Sequence, residues 1–422
     1  MYKDERVILH IDINHCYAQI EEMLHPAYRD IAMAVGGSEK ERHGIILAKN
    51  LKAKPFQIAT AEPIRSALKK CPDLLIIPPD MKKYQYYTAL VKSIFYEYSD
   101  QIEDFGLDEA WVDVSASQSL FGNGMSIAKE IQDKVLSEYG LTVSIGVSFN
   151  KVFAKLASDI KKPSGLIEIS KDNYKEVAWN RKVEELLMVG KSTTKKLHEL
   201  NILTIGDLAT TSIKLLDKHF GKTGMMLWNY ANGVEHSDVD TSKRERAPKS
   251  VSNSWTAPKD IVTYQDARLV LERLSNSVAT RMRGKQLVGN VVTLSLRDVK
   301  LSRCTRQKKL DYYTDMSKDI FYEVSLLLLD NYDFSIPLRS IGVAISNLKP
   351  AADHCQLNLF EDEIEKLQNR NVEITIENIR EKYGFFSIDK ASALLDRKLN
   401  KVNPRGDHIA FARTMYKGSD ER

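Results

Sequence analysis

Along residues 7–13, VILHIDI, Val7, Leu9 and Ile11 fall on one side of an extended chain and Ile8, His10 and Asp12 on the other. That two-residue period predicts a strand. The next segment, YAQIEEMLH, has helical spacing, and 44–78 mixes short strands with a helix around AEPIRSALKKC. KKYQYYTALVKSIFYEYS predicts a helix over 82–99. FGLDEAWVDVS (105–115) follows, with Ala110, Trp111, Val112 and Val114 in a run rich in strand formers. A helix near 125–138, the strand LTVSIGVS (141–148) and the helix NKVFAKLASDIKKP, stopped by Pro163, come next. Strands alternating with helices around acidic strand ends predict an α+β core.

From about 171 to 235 the pattern is all helical with short connections, as in VEELLMVGKSTTKKLHELNILTIGDLATTS. A polar, proline-containing linker, DVDTSKRERAPKS, ends that segment. Beyond it the order is strand (250–256), helix (267–283), strand (290–297), a strand around 300–313, helix (316–330) and strand (338–346). In VVTLSLR, Val292, Leu294 and Leu296 alternate with Thr293, Ser295 and Arg297, as a half-buried strand should. The succession β-α-β-β-α-β is the split pattern of a ferredoxin-like unit. Residues 351–422 are more polar and are expected to be peripheral, with EKYGFFSIDKASALL (381–395) reading as a helix.

The 422 residues are 43% hydrophobic and 28% charged, an ordinary globular balance, and the length suggests roughly three domains. Cys16, Cys71, Cys304 and Cys355 are scattered without metal-type spacing and read as reduced thiols. The amino-terminal residues lack a signal-peptide pattern, and VSLLLL (324–329) is far too short to span a bilayer. A cytoplasmic protein with no membrane partner is expected. The net charge of +4 is unevenly placed: residues 241–310 hold 16 Lys/Arg against 5 Asp/Glu. Three basic clusters within that stretch, SKRERAPK, ATRMRGKQ and LSRCTRQKK, favour a surface for a polyanion over an ordinary solvated face.

The sharpest feature is the acidic pair Asp108 and Glu109 set against an apolar strand. Consecutive residues of an ideal strand face opposite ways, so the two share a site only at a hairpin tip or a bent strand entry, which Gly106 permits. Asp12 supplies a third carboxylate at the end of the first strand. Buried carboxylates are costly unless compensated, and a divalent cation is the simplest compensation. Oxygen-only ligands suit Mg2+. An exposed hairpin decorated with acids is the plainer alternative.

HIDINHCYAQIEE, GLDEAWVDVS and SIGVSFNKVFAKLASDIKKPSG resemble, in order and spacing, the motifs of the Y-family translesion DNA polymerases, and the resemblance covers residues 1 to about 350. The tail is most similar to UmuC-like members of Gram-positive bacteria, their plasmids and phages. The resemblance implies a right-handed α+β polymerase: a ferredoxin-like palm (1–19 and 78–170), small fingers (20–77), a helical thumb (171–237), a linker (238–249), a separate ferredoxin-like little finger (250–350) and a tail (351–422). By motif, Asp12, Asp108 and Glu109 are the catalytic acids, and with the carbonyl of Ile13 they hold two Mg2+ ions. Such a pair clamps the attacking and leaving oxygens when a primer end meets a dNTP. Asn14 departs from the Asp of many relatives, as it does in UmuC-like sequences.

The same resemblance makes Tyr17 the aromatic gate that excludes ribonucleotides. Ala48, Lys54 and Lys162 meet the triphosphate, with Ala48 and Lys54 standing where many relatives have Thr and Arg. Lys191 belongs to a helix-hairpin-helix turn, MVGKSTTKKLHEL, whose usual first glycine is Met188. Lys249, Arg281, Arg283, Arg297 and Arg303 are candidate contacts to primed template DNA. QLNLF, with Gln356, Leu357, Leu359 and Phe360, resembles the peptide that binds the bacterial β sliding clamp. A UmuD-like subunit and a recombinase filament are further implied partners of a chain expected to be monomeric. FGKTG (220–224) is a turn and not a P-loop, since Leu216 stands where the motif needs glycine. Two rivals stay open here. A nucleotide cyclase needs no thumb, basic sheet or clamp peptide; a decayed, clamp-bound accessory protein is suggested by Asn14, Ala48 and Lys54.

Overall fold

The computed structural model describes residues 6–37, 44–241, 247–351, 363–396 and 398–399. They form two compact units, one built on residues 6–37 and 45–241, the other on 247–399. Among the described residues no helix is long and apolar enough to cross a membrane. Cys16, Cys71 and Cys304 are free thiols.

The first unit opens with β1 (Ile8–Ile13) and α1 (Cys16–Leu24). A small finger region follows, with β2 (Met33–Gly36), β3 (Ile46–Lys49), α2 (Ile64–Lys70) and β4 (Leu75–Ile77), its strands ordered β3-β2-β4. The chain then makes α3 (Met81–Phe95), β5 (Ile102–Asp104), β6 (Glu109–Asp113), α4 (Gln118–Phe121) and α5 (Gly124–Tyr139). β7 (Val143–Ser148), α6 (Lys151–Ile160) and β8 (Leu166–Ile169) complete the palm, whose sheet is ordered β5-β6-β1-β7-β8. β1 is central and all six of its residues are buried. Leu9 and Ile11 join the core under α3 and α5, while Ile8 packs with Trp111 and Ala154 on the α6 side. A strand covered on both faces is apolar on both, which is why VILHIDI has so little polar content.

α6 lies close on β7, and Gly146 is what allows it. A methyl group there would come within 2.1 Å of the Ala154 carbonyl oxygen. Asn150 caps the helix by accepting from the Phe153 N–H at 2.8 Å. In the fingers, buried Asn50 accepts from the N–H groups of Met33 and Ala53 and donates to the carbonyls of Tyr28 and Ile31. One side chain thus fixes the entry of the segment carrying Lys54.

The thumb consists of α7 (Tyr174–Ala178), α8 (Lys191–Glu199), α9 (Ile205–Thr210), α10 (Ile213–Phe220) and α11 (Lys222–Ala231). These helices close on Leu197, Leu208, Leu216 and Leu227. Within FGKTG only Gly221, at φ +58°, turns the chain between α10 and α11; Phe220 ends the first helix and Lys222 opens the second. Beyond α11 the chain returns to the palm, where the Asp240 N–H donates to Glu103 Oε2 at 2.8 Å and Lys151 Nζ reaches the same oxygen at 3.0 Å.

The second unit contains β9 (Ser250–Ile261), α12 (Tyr264–Arg283), β10 (Leu287–Asp298), β11 (Arg303–Thr314), α13 (Ser317–Asn331), β12 (Leu338–Pro350) and α14 (Glu363–Tyr383). Each β-α-β half is split by a strand of the other, and the sheet order is β11-β10-β12-β9. The central pair is therefore the second and fourth strand of the unit, not the first and third of a standard ferredoxin-like sheet. β10 and β11 form a hairpin, so β12 pairs on the other edge of β10 and β9 adds outside it.

Two expectations for the tail are corrected. Residues 363–399 are not peripheral, because Leu399 is fully buried in this unit's core and α14 sets Glu373 and Glu377 against Arg283. Nor do residues 381–395 form one helix. α14 stops at Tyr383, Gly384 turns the chain at φ +98°, and a single 3-10 turn, Ala391–Leu394, follows.

Candidate active site

β1 and β6 run antiparallel with Asp12 directly opposite Glu109. Asp108 stands one residue before β6, and its carbonyl accepts from the Ile13 N–H at 3.0 Å. Gly106, at φ +118°, makes the bend at the strand entry. Lys92 Nζ holds that bend, donating to the Gly106 carbonyl at 2.9 Å and to Asp104 at 2.9 Å. The pleat alone would send Asp108 and Glu109 to opposite faces; the bend brings both near Asp12.

Like charges across neighbouring strands repel. Two ammonium groups from α6 and its end answer them. Lys162 Nζ lies 2.6 Å from Asp12 Oδ2 and 2.7 Å from Asp159 Oδ1. Lys155 Nζ lies 2.9 Å from Glu109 Oε2, 3.3 Å from Asp159 Oδ2 and 3.7 Å from Asp12 Oδ2. Burial opposes charge on both lysines, yet their carboxylate partners hold both above the usual lysine range. Burial raises Asp12 even with Lys162 beside it. Asp108 is pushed up to about 6, first by burial and then by Asp12 and Glu109, and no ion pair reaches it among the described residues. Behind Glu109, fully buried His10 places Nε2 3.3 Å from Glu109 Oε2 and pairs Nδ1 with Ser158 Oγ at 2.9 Å. Burial holds this imidazole well below its ordinary pKa.

The donors are hard oxygens, and among the described residues Asp108 has no ion-pair partner, with Lys92 acting on it only at longer range; that chemistry fits a divalent cation of the magnesium type. As placed, the described side chains do not converge into a three-ligand set, because Asp12 turns to Lys162 and Glu109 to Lys155. Asn14 is engaged at both ends: its Nδ2 donates to Thr142 Oγ1 at 3.0 Å, and its Oδ1 accepts from Ser144 Oγ at 2.7 Å. The amide at this position serves the fold.

Asp12 and Asp108 open on a cleft of 520 Å3 that Ile13, Tyr17, Ala48, Lys54 and Lys162 also line. Burial, with Asp108 nearby, raises the Tyr17 phenol to about 12, so it stays neutral. Seven positions singled out in the sequence thus meet at one cavity, and Glu109 stands beside it.

The conserved-domain match over residues 11–159 is to the impB/mucB/samB family, and residues 248–359 match that family's C-terminal domain. Residues 184–235 match the DNA polymerase-iota thumb domain. DNA polymerase IV of Acetivibrio thermocellus is 40% identical over 398 residues, covering 94% of this chain and 100% of that protein. DNA polymerase IV 2 of Bacillus subtilis is 32% identical over 397 residues, covering 92% and 95%. A solved structure, the Y-family DNA polymerase chimera Dbh-Dpo4(243-245)-Dbh, superposes with a TM-score of 0.72 at 22% identity, covering 81% of this chain and 98% of that one. The chain belongs to the Y family of DNA polymerases. It is a DNA-directed DNA polymerase.

Sequence reading missed three residues of this Y-family polymerase site. Lys155 carried a signal, since Lys155, Asp159 and Lys162 recur at helical spacing and share one face. Lys49 lines the cleft beside Ala48 and is lowered by burial, but a lone lysine on a short strand gives no warning. His10 looked like any strand residue.

The polymerase's candidate DNA contacts separate into groups. Lys191 begins α8, and Met188, at φ +72° and 62% exposed, adopts the conformation for which the motif normally carries glycine. Lys249 is exposed just before β9. Arg297 and Arg303 are cross-strand partners on β10 and β11, on the sheet face with Thr293, Ser295 and Ala344. Arg281 belongs to the helical layer and donates to the Ser252 carbonyl at 2.7 Å. Arg283 is corrected: its side chain is only 7% exposed and binds Glu373 at 2.7 Å and also Glu377, so it is a structural ion pair. Gln356, Leu357, Leu359 and Phe360 lie outside the described residues.

Proposed function

We propose that this polymerase carries out low-fidelity translesion synthesis by two-magnesium nucleotidyl transfer, in the cytoplasm, and is recruited by the β sliding clamp. The observation that carries the chemical reading is the register of β1 and β6, which sets Asp12 opposite Glu109 beside Asp108 at the mouth of the cleft. In this reading Asp12, Asp108, Glu109 and the Ile13 carbonyl hold two Mg2+ ions, which would supply the charge that stabilises the attacking and leaving oxygens. Lys162, its side chain 36% exposed, is the ammonium able to exchange Asp12 for a triphosphate, whereas Lys155, at 15%, stays with Glu109. Lys54 adds a point charge without the fork of arginine. Ala48 leaves room beside the phosphates. In this reading Tyr17, which lines the cleft, packs under the sugar of the nucleotide and excludes a 2′-hydroxyl.

Translesion synthesis is supported by the finger region lining the cleft, which among the described residues is built from three short strands, one short α-helix and two short 3-10 helices. Little of the template base would be gripped, so distorted bases fit. Lys191, Lys249, Arg297 and Arg303 follow phosphates and read no sequence.

Extension of a primed template by the purified chain with Mg2+ and four dNTPs tests the reading. A nucleotide added by the wild-type chain and none by Asp108→Asn supports it; no addition by the wild type leaves the decayed accessory protein. Extension without added proteins would make a UmuD-like subunit or recombinase filament dispensable for basal synthesis. For the clamp, Gln356→Ala with Phe360→Ala in the full chain is the suitable variant, because truncation there would also remove α14 from the second unit. Clamp-stimulated synthesis should vanish while unstimulated synthesis persists; equal stimulation of both proteins would count against recruitment.

A further inference from the structure

Tyr17 has a flat partner beneath it. Its ring stacks on that of Tyr84 from α3, with centroids 4.6 Å apart and planes 11° from parallel. Tyr84 is fully buried, and its hydroxyl donates to Glu21 Oε1 at 2.8 Å. Glu21 is itself buried and lies four residues after Tyr17 on α1, one helical turn away. Lys83 Nζ, next to Tyr84 on α3, is 3.4 Å from the same carboxylate oxygen. The arrangement is a closed circuit: α1 presents a ring and, one turn on, a carboxylate, and α3 inserts a second ring fixed to that carboxylate.

A ring that must distinguish one hydroxyl has to be held at a definite height and tilt. Tyr17 is only partly buried, and the terminal torsion of an aromatic ring is broad by itself. Tyr84 occupies the space into which the Tyr17 ring would sink, and Glu21 keeps Tyr84 from turning away. Supporting side chains whose own rotamers are locked are what give a site this precision. We propose that Tyr84, anchored by Glu21, is the positioning residue for sugar selection, setting the plane of Tyr17 under the incoming nucleotide. This rests on the reading of Tyr17 as the sugar gate.

The test is steady-state single-nucleotide insertion by the full chain, comparing kcat/KM for a dNTP and the matching rNTP. Tyr17→Ala examines the gate and is expected to lower discrimination about a hundredfold. Tyr84→Leu is expected to lower it about tenfold, mainly through a lower KM for the ribonucleotide and less through lost deoxynucleotide use. The double variant should match Tyr17→Ala alone, because Tyr84 acts through that ring. Tyr84→Phe keeps the stack and the volume but loses the anchor, so about a threefold loss is expected, and this variant carries the test if Tyr84→Leu does not fold. A parallel fall in both nucleotides at constant discrimination, while Tyr17→Ala relaxes it, overturns the proposal and spares the gate. Unchanged discrimination in Tyr17→Ala overturns both.

Discussion

Asp108 bears the electrostatic cost of the site. Its neighbours find ammonium partners, but it is half-buried beside two carboxylates, and partial burial and those charges push its pKa up to about 6. A raised folded-state pKa means the folded protein binds that proton more tightly than the unfolded chain. Stability is therefore lost as pH rises from about 4 to about 6 and stays reduced above. In metal-free protein at pH 7.5, Asp108→Asn should raise the stability of the first unit by on the order of 1–3 kcal/mol while abolishing primer extension. Urea unfolding across pH checks this, and the advantage should shrink as the pH falls toward 4. The motif placed Asp108 in the site; that Lys155 and Lys162, arriving from about fifty residues away, pair with its neighbours and not with it was invisible in sequence.

At the level of elements, the contact between α6 and β7 positions both of those lysines. Gly146 sits under the helix with no space for a side chain. Gly146→Ala should cost about 2–4 kcal/mol by overpacking. If α6 moves outward instead, Lys155 and Lys162 move with it, and the KM for nucleotide rises. Unfolding curves and insertion kinetics on the same variant separate the two responses. The strand SIGVS and the helix VFAKLASDI were both legible from their periods, but their close approach was not. A glycine in a strand pattern signals a near neighbour without naming it.

Across the second unit, the same positive charge does two different jobs. Arg297 and Arg303 face each other across β10 and β11, an unfavourable pairing unless an anion lies over the sheet. Removing either to alanine should leave stability unchanged or slightly higher, weaken DNA binding, and reduce the salt dependence of affinity by about one unit of slope each. Arg283 should behave in the opposite way. Alanine there leaves the carboxylates of Glu373 and Glu377 half-buried and unpaired, and should destabilise the unit by about 3–5 kcal/mol without changing the salt slope. Salt-titrated binding and thermal unfolding of the three variants distinguish the groups. Net basic excess over 241–310 could not, because a count of charges does not say which of them already have partners.

The local record of the chain determined most of its elements: two-residue alternation gave the strands, helical spacing gave the helices, and the motifs around Asp12, Asp108 and Lys162 identified the chemistry. Those are short-range properties, set by backbone geometry and neighbouring side chains. What only the tertiary structure decided was pairing over distance. Asp12 meets Glu109 through strand register, Glu109 meets Lys155 through helix docking, Tyr17 rests on Tyr84, and two glutamates of a tail helix claim Arg283. Each of these joins residues dozens to a hundred positions apart, and packing of whole elements, which no local pattern encodes, brings them together.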